Sequence, residues 1–237
     1  MKLFALSTAE NGASMALFDG DEKVCSSYWA SRQTHSRRLM SMVEQMIQVQ
    51  AGLTVDVIDG FIAAKGPGSF TGLRIGISVI KGLAYSFSKP CAGISSLDGI
   101  AFGVGYSPDP VCVMMDAKRN EVYTALYRFE QGRLVHKGEE SVCSPKHAVT
   151  KAGASALFVG SGSKAYREVI LELTGGQARF SPPSVDSVSA SAMIRIALAS
   201  PALFESAENR LEPVYLRKSD AEIHFAGTIE KAKKGAS

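Results

Sequence analysis

The stretch Ala63-Ala64-Lys65-Gly66-Pro67-Gly68-Ser69-Phe70-Thr71-Gly72-Leu73-Arg74-Ile75-Gly76 decides how the rest of the chain is read. A short apolar strand over 60–65 ends here, and glycines with a proline form a tight loop. Ser69 or Thr71 can then cap the helix that follows. Two roles fit this junction. Free amides and the positive end of the helix dipole suit an anion, with Arg74 adding charge one turn in. Equally, the glycines permit a sharp turn and close packing of helix on sheet. No Gly-Lys-Ser/Thr follows at phosphate-loop spacing, and the pattern is not GxSxG, so Ser69 is not a nucleophile-elbow serine.

Upstream of the junction the chain predicts three strands, 2–8, 13–19 and 24–30, punctuated by Asn11-Gly12 and Asp19-Gly20-Asp21. From about His35 to Gln50 the period becomes helical, with Leu39, Val43, Met46 and Ile47 on one stripe and Met42 beside it. The helix launched by the junction, about 71–88, has almost no polar face: Leu73, Ile75, Ile77, Val79, Ile80, Leu83, Ala84, Tyr85 and Phe87 surround it. Such a helix is either fully buried or covers a partner. With the methionine-rich helix beside it, this points to a subunit interface. Its candidates are Leu39, Met42, Val43 and Met46 on the first helix, and Gly72, Gly76, Val79, Ile80 and Leu83 on the second.

A short strand (91–94) and helix (96–102) follow, and the Pro- and Gly-containing stretch 103–110 marks a lobe boundary. Beyond it the order repeats. Strands are expected over 111–116, 121–129 and 133–141, then a helix over 145–152, a strand over 156–159, and helices over 163–173 and 189–200. Gly160-Ser161-Gly162-Ser163-Lys164 holds the place in this second half that Gly66–Gly72 holds in the first. The expectation is an α/β protein of two βββαβα lobes, 1–105 and 106–226, with a polar tail over 227–237. Two loops facing across a cleft could grip an anion or nucleotide through Gly66, Gly68, Ser69, Thr71, Gly72, Gly160 and Gly162.

A formal charge of +3 falls short of a dedicated nucleic-acid binder. Cys25, Cys91, Cys112 and Cys143 lie far apart without a CxxC pair, which fits reduced thiols in a cytosolic protein better than disulfides or zinc. No apolar run reaches the roughly 20 residues of a membrane helix, and the start of the chain does not read as a signal peptide. The histidines His35, His136, His147 and His224 are isolated, so no metal site is expected. Asp116 ends a strand and suits either a ligand contact or an Asx turn.

The block Gly66-Pro67-Gly68-Ser69-Phe70-Thr71-Gly72-Leu73-Arg74-Ile75-Gly76 resembles the signature of the TsaB (YeaZ) family of bacterial tRNA threonylcarbamoyladenosine synthesis. Supporting blocks run in the same order: Leu6-Ser7-Thr8-Ala9, Thr34-His35-Ser36, Gly93–Leu97, Met115-Asp116-Ala117-Lys118 with Glu121-Val122-Tyr123, and Glu212–Arg217. The resemblance implies a duplicated actin-like/Hsp70-like ATPase (ASKHA) fold. It also implies a non-catalytic partner of TsaD, which transfers threonylcarbamoyl to N6 of adenosine 37 in tRNAs reading ANN codons.

The ATPase TsaE would be a third component. This chain would form a homodimer when alone, meet tRNA only through the complex, and carry its partner-binding bundle on the first two helices. ATP or ADP and metal would reside mainly on the partners, with no cofactor required here. TsaD holds metal through HxxxH on its first helix, whereas Leu39 stands four residues after His35; TsaB relatives carry Asp-Thr in the first strand, where this chain has Ser7-Thr8. An active phosphotransferase or ATPase of the same superfold would need paired carboxylates, and a metallopeptidase would need the broken histidine pair. On these grounds the glycine junction is read chiefly as the turn that sets its helix against the sheet, with anion binding secondary.

Overall fold

The computed structural model describes residues 1–30, 38–105, 107–205 and 211–217. The expected start of the first helix at His35 and the expected tail over 227–237 lie outside the described residues. The first half runs β1 (Lys2–Ser7), β2 (Gly12–Asp19), β3 (Glu22–Ala30) and α1 (Leu39–Glu44), which continues in wider π-type turns over Gln45–Gln50. Then come β4 (Gly60–Gly66), α2 (Phe70–Ser86), β5 (Cys91–Ser95) and α3 (Ser96–Val104). The second half runs β6 (Val111–Lys118), β7 (Glu121–Glu130), β8 (Arg133–Lys137), β9 (Ser141–Cys143), α4 (Pro145–Ala152) and β10 (Leu157–Val159). It closes with α5 (Ser161–Ala165), α6 (Arg167–Leu173), β11 (Arg179–Phe180) and α7 (Ala190–Ala199).

The duplication is visible in the pairing. The first sheet has the order β3-β2-β1-β4-β5, and the second reads β8-β7-β6-β10-β11, with β9 added on β7. In each, the first three strands pair antiparallel and the next two join in parallel. The two halves therefore share one topology, as the order of elements predicts. β11 is absent from that prediction: two residues carry no alternation, and only the parallel register Leu157↔Arg179 and Phe158↔Phe180 makes them a strand. The single strand expected over 133–141 is two, β8 and β9, both on β7. The helix expected over 163–173 starts at Ser161 and breaks at Tyr166 into α5 and α6.

Period-2 alternation sorts the side chains of β6 between two cores. Val111, Val113 and Met115 join the large core that includes α3 and α7, while Cys112 and Met114 face a smaller one with Ala148, Val149 and Ile170 of α4 and α6. α3 touches strands of both sheets and packs on α7. α7 follows residue 105 in chain order. It belongs by position to the second lobe, yet its buried face of Ala190, Met193, Ile194 and Ala197 packs on the first sheet. An apolar stripe goes where sheet surface remains uncovered, irrespective of chain order. Each cysteine lies in a strand and is a free thiol. Burial pushes the Cys112 thiol up to about 12, so it stays protonated.

Helix α2 meets the sheet at backbone distance. A Cβ built on Gly72 would strike the Thr8 carbonyl oxygen, and one on Gly76 would strike Thr8 Oγ1. The Thr8 hydroxyl in turn donates to the Gly72 carbonyl at 2.7 Å. Ser69 caps the helix by accepting from the Gly72 N–H at 3.2 Å. Gly82, by contrast, lies in the same helix with open space around its missing side chain. The two sites should respond with opposite signs. Gly72→Ala is expected to cost about 2 kcal/mol or more by overpacking, whereas Gly82→Ala should gain up to about 1 kcal/mol of helix propensity. Urea unfolding of both variants measures this, and equal signs would refute the packing account.

Candidate functional site: the cleft between the lobes

A cleft of about 560 Å³ opens between the two sheets. Ala9, Glu10 and Asn11 of the β1–β2 turn line it, with the glycine junction from Pro67 to Phe70. On the other side lie Met115–Arg119 and Ser161. Tyr28, Tyr123 and the segment Val214–Arg217 complete the wall. Of the expected anion-site residues, Gly68 and Ser69 line this cleft, with Ser161 from between Gly160 and Gly162; Gly66, Thr71, Gly72, Gly160 and Gly162 are not part of its lining. Gly160 and Gly162 repeat the close approach seen at Gly72: built Cβ atoms would stand 2.5 and 2.9 Å from the Met114 carbonyl oxygen. In both lobes a strand-to-helix loop is pressed onto the first strand of its sheet.

The mouth of the first loop is covered by the chain's own later residues. The Val214 N–H donates to the Lys65 carbonyl at 2.7 Å, and Leu211 is buried in the core. Tyr215 stacks on Phe70 with centroids 4.4 Å apart, and the Arg74 guanidinium lies 3.9 Å from the centre of the same ring. Arg74 Nε also donates to the Tyr215 hydroxyl at 3.0 Å. Farther along, Arg217 donates to the Ala117 carbonyl at 3.0 Å and pairs with Glu121 at 3.2 Å. This strap joins both lobes. Arg74, which adds charge one turn into the helix, is engaged with Phe70 and Tyr215.

Among the described residues, the carboxylates of Asp116, Asp186 and Glu10 stand in or beside the cleft, and each is engaged. Asp116 Oδ1 accepts from the Lys118 N–H at 2.8 Å, and Oδ2 pairs with Lys118 Nζ at 2.6 Å, which realises the Asx-turn alternative. Asp186 Oδ1 accepts from the Gly160 N–H at 3.1 Å and the Ser181 hydroxyl at 2.6 Å. Glu10 accepts from the Ser161 hydroxyl at 2.9 Å and the Val188 N–H at 3.0 Å. Burial pushes the Glu10 carboxyl above its ordinary value, and the like charge of Asp186 adds to this; the two hydrogen bonds pull the other way. Sequence reasoning missed Glu10, Ser161 and Asp186. Glu10 precedes Asn11-Gly12 and reads as an ordinary turn residue.

The interface residues expected on the first two helices fall mostly on inward faces. Leu39, Val43, Met46, Gly72, Gly76, Ile80 and Leu83 are buried within this chain, because their 3.6-residue stripes pack on the first sheet. Met42 and Val79 are half-buried. Outward the two helices present Met40 (51% exposed), Val49 (75%) and Tyr85 (89%), the small Ser78 and Gly82, and the polar Ser41, Glu44, Gln45 and Gln48. Thr71, Arg74, Ser78, Lys81 and Ser86 give α2 a polar exposed face where the sequence pattern predicts almost none.

Two sheets of one strand order, helices between and outside them, and a cleft lined by matching loops define the duplicated actin-like ATPase (ASKHA) fold. A family model described as tRNA N6-adenosine threonylcarbamoyltransferase (TsaD) matches residues 29–225. The chain is 32% identical over 179 residues to the tRNA threonylcarbamoyladenosine biosynthesis protein TsaB of Haemophilus influenzae, covering 71% of this chain and 75% of the relative. It is 29% identical over 231 residues to the TsaB of Escherichia coli, covering 93% and 96%. The solved structure of YeaZ from Pseudomonas aeruginosa matches with a TM-score of 0.73 at 28% identity, over 91% of this chain and 99% of that one. The chain belongs to the TsaB (YeaZ) family.

Glu10 gives the site a pH signature. Its folded-state pKa stands above the unfolded value. Its contribution to stability is therefore complete below about pH 4 and is lost as pH rises through the raised value. Glu10→Gln keeps a comparable shape without the charge. The stability of that variant relative to the parent should increase from about pH 4 to about pH 7. Urea midpoints across that range measure it, and a pH-independent difference would contradict the burial of this charge.

Proposed function

We propose that the chain is a non-catalytic, activating scaffold in tRNA threonylcarbamoylation. In this reading it docks on a TsaD-like partner, with a TsaE-like ATPase as third component, and meets tRNA through that complex in the cytoplasm. The observation that carries the proposal is the state of the cleft carboxylates. Phosphoryl transfer or metal-assisted hydrolysis needs carboxylate oxygens aimed at substrate or cation. Here Asp116, Asp186 and Glu10 are bonded to Lys118, to Gly160 and Ser181, and to Ser161 and Val188. The Thr8 hydroxyl is likewise spent on Gly72. ATP, ADP and metal are accordingly assigned mainly to the partner subunits, with no cofactor of this chain's own.

The proposed docking surface is made of the outward faces of α1 with its continuation and of α2, on which Met40, Val49 and Tyr85 are exposed and Met42 and Val79 half-buried. The homodimer proposed for the isolated chain would use the same side. Flexible methionines and one fully presented aromatic ring suit an adaptable interface.

A reconstituted assay tests the proposal. tRNA modification by the TsaD-like and TsaE-like proteins should depend on adding this chain. Tyr85→Asp should weaken its association with the TsaD-like protein about tenfold or more, since it places a charge in an apolar contact, while leaving its own unfolding midpoint close to the parent's. ATP turnover by the purified chain alone, abolished by Asp116→Asn, would overturn the scaffold reading.

A further inference from the structure

One side chain spans the floor of the cleft. Glu10 belongs to the β1–β2 turn of the first lobe. Its Oε1 accepts from the hydroxyl of Ser161, the first residue of α5 in the second lobe, at 2.9 Å. The Ser161 oxygen also accepts from the Asp116 N–H at the end of β6, at 3.2 Å. The other carboxylate oxygen, Oε2, accepts from the N–H of Val188 at 3.0 Å, in the turn that leads back to α7. That turn is fastened to the first lobe twice more, by the Ala190 N–H to Ser14 Oγ at 3.0 Å and by the Ser187 hydroxyl to the Tyr28 hydroxyl at 3.2 Å. At its second-lobe end it is held by Asp186, which binds Gly160.

Two-lobed folds with a central cleft move by hinge closure, and the ligand that bridges the lobes selects the closed arrangement. A bridge supplied by the chain itself needs no ligand, because it is present at high effective concentration at all times. Burying a carboxylate is a costly way to stabilise a fold, and its attested use is to select one arrangement over others. The charged groups around Glu10 fit a fixed tie. Asp186 repels it from the adjacent turn, and Asp116, on the β6 side, is compensated by its own Lys118.

We propose that Glu10 is an interlobe latch, which fixes the two lobes in one orientation without any ligand in the cleft and so replaces an opening and closing cycle with a preset shape. The cross-lobe contact is the Glu10–Ser161 bond, and the Val188 bond anchors the same carboxylate to the returning turn.

The full-length chain tests this by hydrogen exchange and small-angle X-ray scattering. In Glu10→Ala, exchange at Val188 should rise about tenfold or more, the scale of a lost charge-assisted hydrogen bond. Peptides around Asp116 and Ser161 should exchange faster as well, and the scattering profile should broaden as the lobes reorient. Glu10→Gln can accept from Val188 and donate to Ser161, so it should retain the parental exchange and scattering. Parental exchange and scattering in Glu10→Ala would overturn the proposal. So would faster exchange confined to Val188 with unchanged scattering, which would make Glu10 a local cap. Should Glu10→Ala not fold, Ser161→Ala removes only the cross-lobe hydroxyl. It should broaden the scattering while Val188 stays protected, and an unchanged profile would equally overturn the latch.

Discussion

The contact between Thr8 and helix α2 sets the distance on which the first lobe is built. The Thr8 hydroxyl donates to a carbonyl inside the helix, and Gly72 and Gly76 leave no side chain in the way. With the helix that close, Leu73, Ile77, Ile80 and Leu83 reach the sheet and are buried. The parallel pairing of β1 with β4 then follows, because the loop from β4 into α2 must turn back over the end of β1. The strap over 211–217 depends on the same geometry. It is bonded to Lys65, lies against Gly66 and stacks on Phe70. The second lobe repeats the device with Gly160 and Gly162 against Met114, so a single packing rule underlies both halves of the molecule.

That rule was legible in the sequence because it is local. A strand, a glycine-rich loop and an apolar helix within fifteen or so residues leave few alternatives, and the helical and strand periods elsewhere gave the order of elements that the two sheets share. What escaped was non-local. Nothing in Arg179-Phe180 marks a strand before β10 is beside it. The stripe on α7 says that the helix is covered, and says nothing of which sheet covers it. The same gap explains the interface residues. The stripes on α1 and α2 mark covered faces, and they were assigned to a subunit interface; a stripe cannot say whether its cover is another chain or its own sheet. Glu10 was invisible for a different reason, since a lone acid before Asn-Gly carries the pattern of a solvated turn.

Charged groups tie the lobes together at more than one place. Glu10 lies on one route between them, and α3 supplies another. Asp98 on α3 accepts from the Tyr127 hydroxyl at 2.8 Å and pairs with Lys137 at 2.7 Å, and Lys137 also pairs with Glu140 at 2.9 Å. Burial works to lower the Lys137 pKa, yet the two carboxylates outweigh it and the value is raised. Burial and the Asp98 charge push Tyr127 up, so it remains a hydrogen-bond donor. Partly desolvated pairs of this kind add little net stability, and they penalise any arrangement that separates the partners. Ties at the turn, the strap and α3 thus favour one relative placement of the sheets.

A preset shape bears on how the proposed scaffold would act. Association costs free energy in ordering both partners, and a surface that is already fixed avoids part of that cost. The outward faces of α1 and α2 carry few apolar groups: Met40, Val49 and Tyr85, beside the small Ser78 and Gly82, the polar Glu44, Gln45 and Gln48, and the cations Arg74 and Lys81. Because the inward stripes are already committed to the sheet, affinity in the proposed complex would come from these outward groups. A ring as exposed as Tyr85 can supply a large share by filling a pocket on the partner. Small neighbours let another helix approach its base. The glycines of α2 therefore divide by position: those at its start bring the helix onto its own sheet, and Gly82 leaves room on the opposite side.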